Sequence, residues 1–439
     1  MSRKLATSPL MRPREALTAL NAVQFTRESL VDLTVVLWLC NAPLKMLVHI
    51  PLAAFGLSGF TMFAAGVVTY LPLLIYVVLE RRLPCKWFII VFLTVSAFFS
   101  LTLFNHPEYR IWYDRDLFGV GYTVFRPDHG AIWAVLMVEL CGSSERLFRN
   151  LRIVAIITFL YNLLRAYSAV KTGYWTYYTA SGLIGQRSYD LDFGYNIVFV
   201  AIIAMVCALR ERKKHMWLVV IVCILLDLRF GSRGSLISIA AMILLWTIFS
   251  DNTPVRKLGA ASCVVVFTVV FLFNAQDMLQ SIAYFLQDFF GLESRTITSI
   301  LQGDALDNSG RDGIYDLVRS ALATNPYGYG AYGDRPIIGP YYYWGYCHNI
   351  FYEMSINFGV VGAAAILIAI LTVSFSKMLR TQNFTYRIVI MIFLSMCMRL
   401  LVSDTFWGNN FFWMLIGVIL VYRNGKYRDS GYFRRKGLL

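Results

Sequence analysis

Charge is what this 439-residue chain has least of: Asp, Glu, Lys and Arg together make 15% of it, against 58% hydrophobic residues. With a mean hydropathy of +0.58, that scarcity excludes a soluble globular domain and leaves a polytopic membrane protein. Metal and redox signatures are missing as well. The eight cysteines include no CxxC pair and no Cys/His cluster at ligand spacing. Cys40, Cys207, Cys223, Cys263 and Cys397 fall in apolar runs, Cys85 and Cys141 at the basic ends of such runs, and Cys347 in a polar segment where it has no thiol to pair with. Residues 1–29 contain no apolar core of the kind a cleavable signal peptide needs, so the first span is expected to act as its own insertion signal. There is no internal repeat, no glycine-rich phosphate loop and no dinucleotide fingerprint. Asp114-Arg115-Asp116 and Asp190-Leu191-Asp192 have a spacing that can hold a divalent cation, but without a nucleotide-binding context they do not predict one. No metal and no cofactor is expected.

What is present is a series of long apolar runs. Counting about 20 apolar residues per span gives about twelve transmembrane helices, near 30–50, 59–79, 87–105, 118–140, 153–171, 191–209, 216–230, 234–250, 259–275, 351–375, 388–403 and 410–422. The formal net charge of +14 would suit nucleic acid if it formed one patch, but the Lys and Arg residues sit in short loops between spans. Arg81, Arg82 and Lys86, then Arg146, Arg149 and Arg152, then Arg210, Arg212, Lys213 and Lys214, then Arg256 and Lys257, then Lys377, Arg380 and Arg387 all fall on one side of an even-numbered arrangement. That side, with both termini, reads as cytoplasmic, and no nucleic-acid partner is expected. The chain then divides into a cytoplasmic segment 1–29, spans over 30–275, an external loop 276–350, spans over 351–422 and a basic tail 423–439.

The external loop is the only long polar stretch. From Arg311 its apolar residues Ile314, Leu317, Val318 and Ala321 fall on one helical face, and Pro326 ends the pattern. A Gly- and Tyr-rich run follows, and the loop closes on His348-Asn349 just before the next span. His348 is the candidate base, since imidazole titrates near neutral pH. Glu353 is an alternative base or an orienting group. Arginine guanidinium forks hold phosphate bidentately and stay charged when half-buried. Arg126, Arg187, Arg233 and Arg311 are therefore candidate ligands for a pyrophosphate, beside Arg165, Arg229, Arg295, Arg319, Arg335 and Arg399 on the same side. The competing reading makes them structural ion pairs, such as Arg126 with Asp128 and Arg399 with Asp404. Tyr329 and Tyr343 are candidates for stacking on sugar faces, with an interfacial aromatic belt as the alternative. His106 and His129 are weaker candidates.

Together these stretches resemble the O-antigen ligase/polymerase superfamily. The resemblance rests on Arg187 followed by Asp192-Phe193-Gly194-Tyr195-Asn196, on Gly231-Ser232-Arg233-Gly234-Ser235, on Gly310-Arg311 with Pro326-Tyr327-Gly328-Tyr329-Gly330, and on His348-Asn349 with Glu353 and Phe358-Gly359-Val360-Val361-Gly362. It implies an all-α, GT-C-like membrane fold with short helices in a large periplasmic loop, and a multi-pass protein of a bacterial inner membrane. It implies that Arg187 and Arg311 hold the pyrophosphate of an undecaprenyl-pyrophosphate-linked oligosaccharide, and that His348 acts on the acceptor hydroxyl, with Asn349 beside it. Transfer would be metal-independent and inverting. The polymerase is the leading expectation, a ligase to lipid A core the second and a lipid-linked oligosaccharide flippase the rival from another class. A chain-length regulator is a candidate partner.

Overall fold

Long apolar segments become helices in a bilayer because only a helix satisfies its own backbone donors and acceptors without water. The computed structural model describes residues 27–427 except 82, 116–117, 179–183, 232, 251–310 and 344, and it is helix-rich. In order, the principal elements are α1 (Arg27–Leu39), α2 (Asn41–Ala54), α3 (Thr61–Glu80), α4 (Lys86–Asn105), α5 (Trp133–Cys141), α6 (Ser144–Thr172), β1 (Trp175–Tyr178), β2 (Ile184–Arg187), α7 (Leu191–Arg210), α8 (Met216–Phe230) and α9 (Arg233–Phe249). After the undescribed stretch come α10 (Asp312–Thr324), α11 (Asp334–Ile338), α12 (Ile350–Arg380), α13 (Phe384–Cys397), α14 (Asn410–Val421), β3 (Tyr422–Arg423) and β4 (Lys426–Tyr427).

Among the described residues six helices are long and apolar enough to cross a membrane, or seven if the bent pair α1 and α2 counts as one span. The expected spans near 59–79, 87–105, 153–171, 191–209, 351–375 and 388–403 correspond to these six. The expected span near 259–275 lies outside the described residues. α7 and α13 are the inner helices, with 83% and 67% of their apolar windows covered by protein, whereas the corresponding window of α12 is 17% covered. α5, α13 and α14 pack with α7 into one continuous apolar core.

Two expected spans break, and each break satisfies the other. Near 30–50, α1 and α2 meet at an angle of 87°. Near 118–140 the chain makes a single π-helical turn at Gly121–Phe125 and becomes regular only at Trp133. Pro127 brings no N–H to a helix here. The freed carbonyls of this break are taken up from the bend: Trp38 Nε1 donates to Pro127 O at 2.9 Å, Asn41 Nδ2 donates to Asp128 O, and Tyr70 OH on α3 also donates to Pro127 O. Irregular backbone at this depth is tolerated where side chains take up its freed carbonyls, as these three do.

The two ends of the bundle differ. At one end gather the short basic loops, where Glu139 on α5 accepts from the backbone N–H groups of Trp87 and Phe88 at the start of α4 and from Tyr427 OH. Arg146 and Arg149 meet Asp32 there, and Arg152 meets Glu211. At the other end gather the β1–β2 hairpin, the turn before α9, the segment 311–349 and the turn between α13 and α14.

Candidate active site

A single turn organises the second end. After α13 the chain makes a short 3-10 helix, Met398–Leu401, and its last carbonyls are left without helical partners. Both are taken by side chains of the polar segment. Arg311 Nη1 donates to Val402 O, and Asn349 Nδ2 donates to Leu401 O at 3.1 Å. Asn349 also caps α12, its Oδ1 accepting from Phe351 N at 2.9 Å. His348 is thereby fixed one residue before a helix N-terminus, in left-handed backbone at φ 55°.

His348 is half-buried, with its ring 4.1 Å from that of Tyr346. Its Nδ1 is buried with no hydrogen-bond partner among the described residues. Burial, then the charges of Arg311 and Arg335, lower its pKa from the ordinary 6.5 to about 3. Arg311 has no carboxylate paired with it among the described residues. Its positive charge bears on the imidazole with no carboxylate among the described residues to offset it.

Other arginines are paired. Arg335 on α11 is buried, its Nη1 is 2.5 Å from Asp334 Oδ2, and its guanidinium lies 4.4 Å from the centre of the Tyr332 ring. Arg126 lies 2.8 Å from Asp128, which His129 Nδ1 approaches to 2.9 Å and Lys45 to 3.8 Å. Arg399 lies 3.0 Å from Asp404 and 3.4 Å from Asp192. The ion pairs Arg126–Asp128 and Arg399–Asp404, given above as the alternative to phosphate binding, are thus both formed.

Arg187 ends β2 and shares one buried carboxylate with Arg165: its Nη2 meets Asp190 Oδ1 at 2.5 Å, while Arg165 meets Oδ2. Asp190 also caps α7 by accepting from Asp192 N at 3.0 Å. Arg187 Nε is buried without a partner, and the guanidinium stands 5.1 Å from the Tyr177 ring. This strand is tied to the other parts in sequence. Tyr189 OH reaches Gly231 O at 3.4 Å. A Cβ on Gly234 would come within 2.5 Å of Tyr195 Oη and 2.6 Å of Val402 Cγ2, so this approach of α9 to the turn requires glycine. Val402 in turn holds Arg311. Arg233 begins α9 beside these contacts; its side chain lies outside the described residues.

The remaining sequence candidates hold the polar segment in place. Tyr329 donates from its hydroxyl to Ala321 O at 2.8 Å and from its backbone to Ile356 O at 2.6 Å, joining α10 to α12. The second contact exists because α12 breaks at Gly359, at φ 75°, where Val360 N turns to Pro326 O at 3.0 Å. A Cβ on Gly359 would lie 2.6 Å from Tyr327 O. Glu353 is fully buried, accepting from Thr405 Oγ1 and, at 3.1 Å, from Phe406 N. No hydrogen bond joins it to His348. Tyr343 is exposed, its ring edge-on to Phe118 at 6.5 Å.

Sequence reasoning named His348, Asn349 and Arg311 as candidates but not the groups that hold Asn349 and Arg311. The carbonyls of Leu401 and Val402 carry no signature, being backbone, and the burial of Asp334 beside Arg335 could be inferred only from their charges lying within an apolar, Tyr-rich run. Among the described residues no three His, Cys, Asp or Glu side chains converge as a metal site would require.

Taken together, the helices and the polar end define a multi-pass membrane protein with a cationic, histidine-bearing site. A family model described as O-Antigen ligase matches residues 218–367, from α8 to the part of α12 beyond its kink, with Arg311, His348 and Asn349 inside the match. This supports the O-antigen ligase/polymerase superfamily. No curated protein and no solved structure matches the chain.

Proposed function

We propose that this protein transfers glycan from undecaprenyl pyrophosphate to a sugar hydroxyl, and that its reaction is the polymerisation of lipid-linked oligosaccharide repeat units. The observation that carries the reading is the conjunction of Arg311, which pairs with no carboxylate among the described residues, and a neutral, half-buried imidazole, His348. Arg311 and Asn349, the residue after His348, are held by consecutive carbonyls of one turn, and all three lie within the matched stretch. Arg311 and Arg187 bind the pyrophosphate, and His348 accepts the proton of the acceptor hydroxyl. The acceptor oxygen bonds to the anomeric carbon from the face opposite the pyrophosphate. The bond from that carbon to the phosphate oxygen breaks, its electron pair leaves with the pyrophosphate, and configuration inverts. The guanidiniums oppose the charge that grows on the leaving group.

The low pKa of His348 has a consequence in this scheme. In the empty site its imidazole resists protonation, because burial and two guanidiniums disfavour a further positive charge. The pyrophosphate's negative charge offsets those guanidiniums, so arrival of the donor raises the basicity of His348 when a base is needed. The metal-independent route follows from arginine taking the role that a cation would have.

In the same reading the chain has about twelve spans in a GT-C-like arrangement and lies in the bacterial inner membrane. The 276–350 loop faces the periplasm, and a chain-length regulator acts beside it. In this reading Arg126 and Tyr343 contact sugar or phosphate of the donor, and Glu353 supports the turn through Thr405 and Phe406. A second reading, ligation of glycan to lipid A core, is favoured by the description of the matched family model. A flippase is the weaker rival, since transporters of that kind are built from repeated halves and the sequence shows none. The test is purified protein with lipid-linked oligosaccharide in EDTA, with and without lipid A core. A product ladder from the lipid-linked oligosaccharide alone identifies a polymerase, product only with core identifies a ligase, and no transfer in either case overturns the enzyme reading.

A further inference from the structure

Beside the Met398–Asp404 turn lies a cavity of about 280 Å³ between α6, α7 and α14. Its polar wall includes Asp192, Asn196, Arg399, Asp404 and Asn410, with Asn409 Nδ2 donating to Asp404 Oδ2 at 2.9 Å, and its apolar wall includes Leu151, Val154 and Phe199. Its volume is near the lower end of ligand pockets, which run from roughly 300 Å³ upward, so it has room for one ring rather than an oligosaccharide. The polar wall is not closed upon itself. Asn410 Oδ1 is buried with no hydrogen-bond partner, and Arg399 Nε lies 3.0 Å from Asp404 without the alignment of a hydrogen bond. An amide oxygen, carboxylates and a guanidinium facing one apolar wall offer both acceptors and donors to a polyhydroxylated ring, whose C–H faces suit the apolar side.

The sign of charge narrows the ligand. Two carboxylates line the cavity against one guanidinium, a formal surplus of negative charge, whereas Arg165, Arg187 and Arg311 together meet one carboxylate, Asp190. A pyrophosphate or a uronic acid is repelled from the cavity and drawn to the arginines. The two regions are adjacent through Tyr195: the Arg399 guanidinium stands 4.1 Å from the centre of its ring, and its hydroxyl and Val402 both close on Gly234. We propose that this cavity is the subsite for one uncharged, hydroxyl-rich sugar ring of the lipid-linked glycan, seated beside the pyrophosphate that Arg187 and Arg311 hold. The assignment rests on the transfer reading above and adds to it the class of sugar and the place where it sits.

The test is equilibrium binding to the full-length protein in nanodiscs. The probes are bare undecaprenyl pyrophosphate, the same lipid carrying N-acetylglucosamine, the same lipid carrying glucuronic acid, and free N-acetylglucosamine. The wild type should bind the N-acetylglucosamine lipid about tenfold more tightly than the bare lipid, about 1.4 kcal/mol, and more tightly than the glucuronic acid lipid. Asn196→Leu and Asn410→Leu, checked for unchanged melting temperature, should remove that preference and leave bare-lipid binding intact. Asp192→Asn, at an exposed carboxylate, should narrow the gap between the neutral and acidic lipids. Equal binding of bare and glycosylated lipid by the wild type would overturn the subsite while leaving the transfer reading in place. Free N-acetylglucosamine competing as well as the lipid would overturn the lipid-linked assignment. Failure to bind either lipid would overturn the transfer reading and the subsite with it.

Discussion

The Met398–Asp404 turn has two faces of opposite character. On one, the Leu401 and Val402 carbonyls fix Asn349 and Arg311, and a neutral His348 sits in the field of guanidiniums. On the other, Arg399 is flanked by Asp192 and Asp404 over a cavity of negative surplus. Arginine is common to both faces, so residue type alone does not distinguish them. The partner does: a carbonyl leaves the guanidinium's charge available for an incoming anion, and a carboxylate consumes it, except where two guanidiniums share one carboxylate, as Arg165 and Arg187 share Asp190, and one positive charge is left over. An arginine bound to backbone is therefore the better candidate for phosphate than one in an ion pair.

Substitutions on the His348 face should have the largest effects. His348→Ala should reduce transfer by about 10²–10⁴-fold, the usual worth of a positioned base, with donor binding retained; product formation and lipid binding on the same preparation check this. Arg311→Ala should cost about 10²–10³-fold, as loss of one charge-stabilising group does. Arg311→Lys should recover only part of it, because an ammonium lacks the fork that reaches Val402 O and a phosphate together. On the opposite face, Arg399→Lys should leave bare-lipid affinity close to wild type, and an equal loss in both variants would erase the distinction between the faces. Asn349→Ala removes both the helix cap and the tie to Leu401, and should cost about 1 kcal/mol of stability, read as a lowered melting temperature in detergent, together with slower transfer.

A further effect is the dependence of stability on pH. His348 has a folded pKa of about 3 against an ordinary 6.5, so below pH 6.5 the unfolded chain takes up a proton that the folded chain refuses. Its contribution to stability is intact above that pH and declines as pH falls from about 6.5 toward 3. His348→Gln should flatten this part of the melting-temperature profile. An unchanged slope would place the acid sensitivity elsewhere.

Much of the bundle was legible because hydropathy measures what a bilayer selects. The runs that became α3, α4, α6, α7, α12 and α13 were apparent at once. The runs near 30–50 and 118–140 also read as spans although they carry Asp32, Lys45, Arg126 and Asp128, and no window of hydropathy records that Trp38, Asn41 and Tyr70 take the carbonyls freed at Pro127 and Asp128. At the site, His348 and Arg311 stood out as polar residues in a polar loop. Tyr329 and Glu353 stood out for the same reason and serve differently, one clamping α10 to the kink of α12 and the other anchoring Thr405 and Phe406. Composition reveals that a side chain is polar, not which backbone group it answers. The opposition between Arg311 and Arg399 is half of this kind: the pairing of Arg399 with Asp404 was offered by their closeness in sequence, but nothing near Arg311 signals that it meets the carbonyl of Val402.

The central claim is that His348 performs the proton transfer while Arg311 holds the donor. Single-turnover transfer in EDTA by wild-type, His348→Ala and Arg311→Ala proteins, with donor affinity measured in parallel, addresses it most directly. The account predicts that His348→Ala binds donor at near wild-type affinity without forming product, and that Arg311→Ala loses affinity and rate together. Product formation by His348→Ala at the wild-type rate would contradict it.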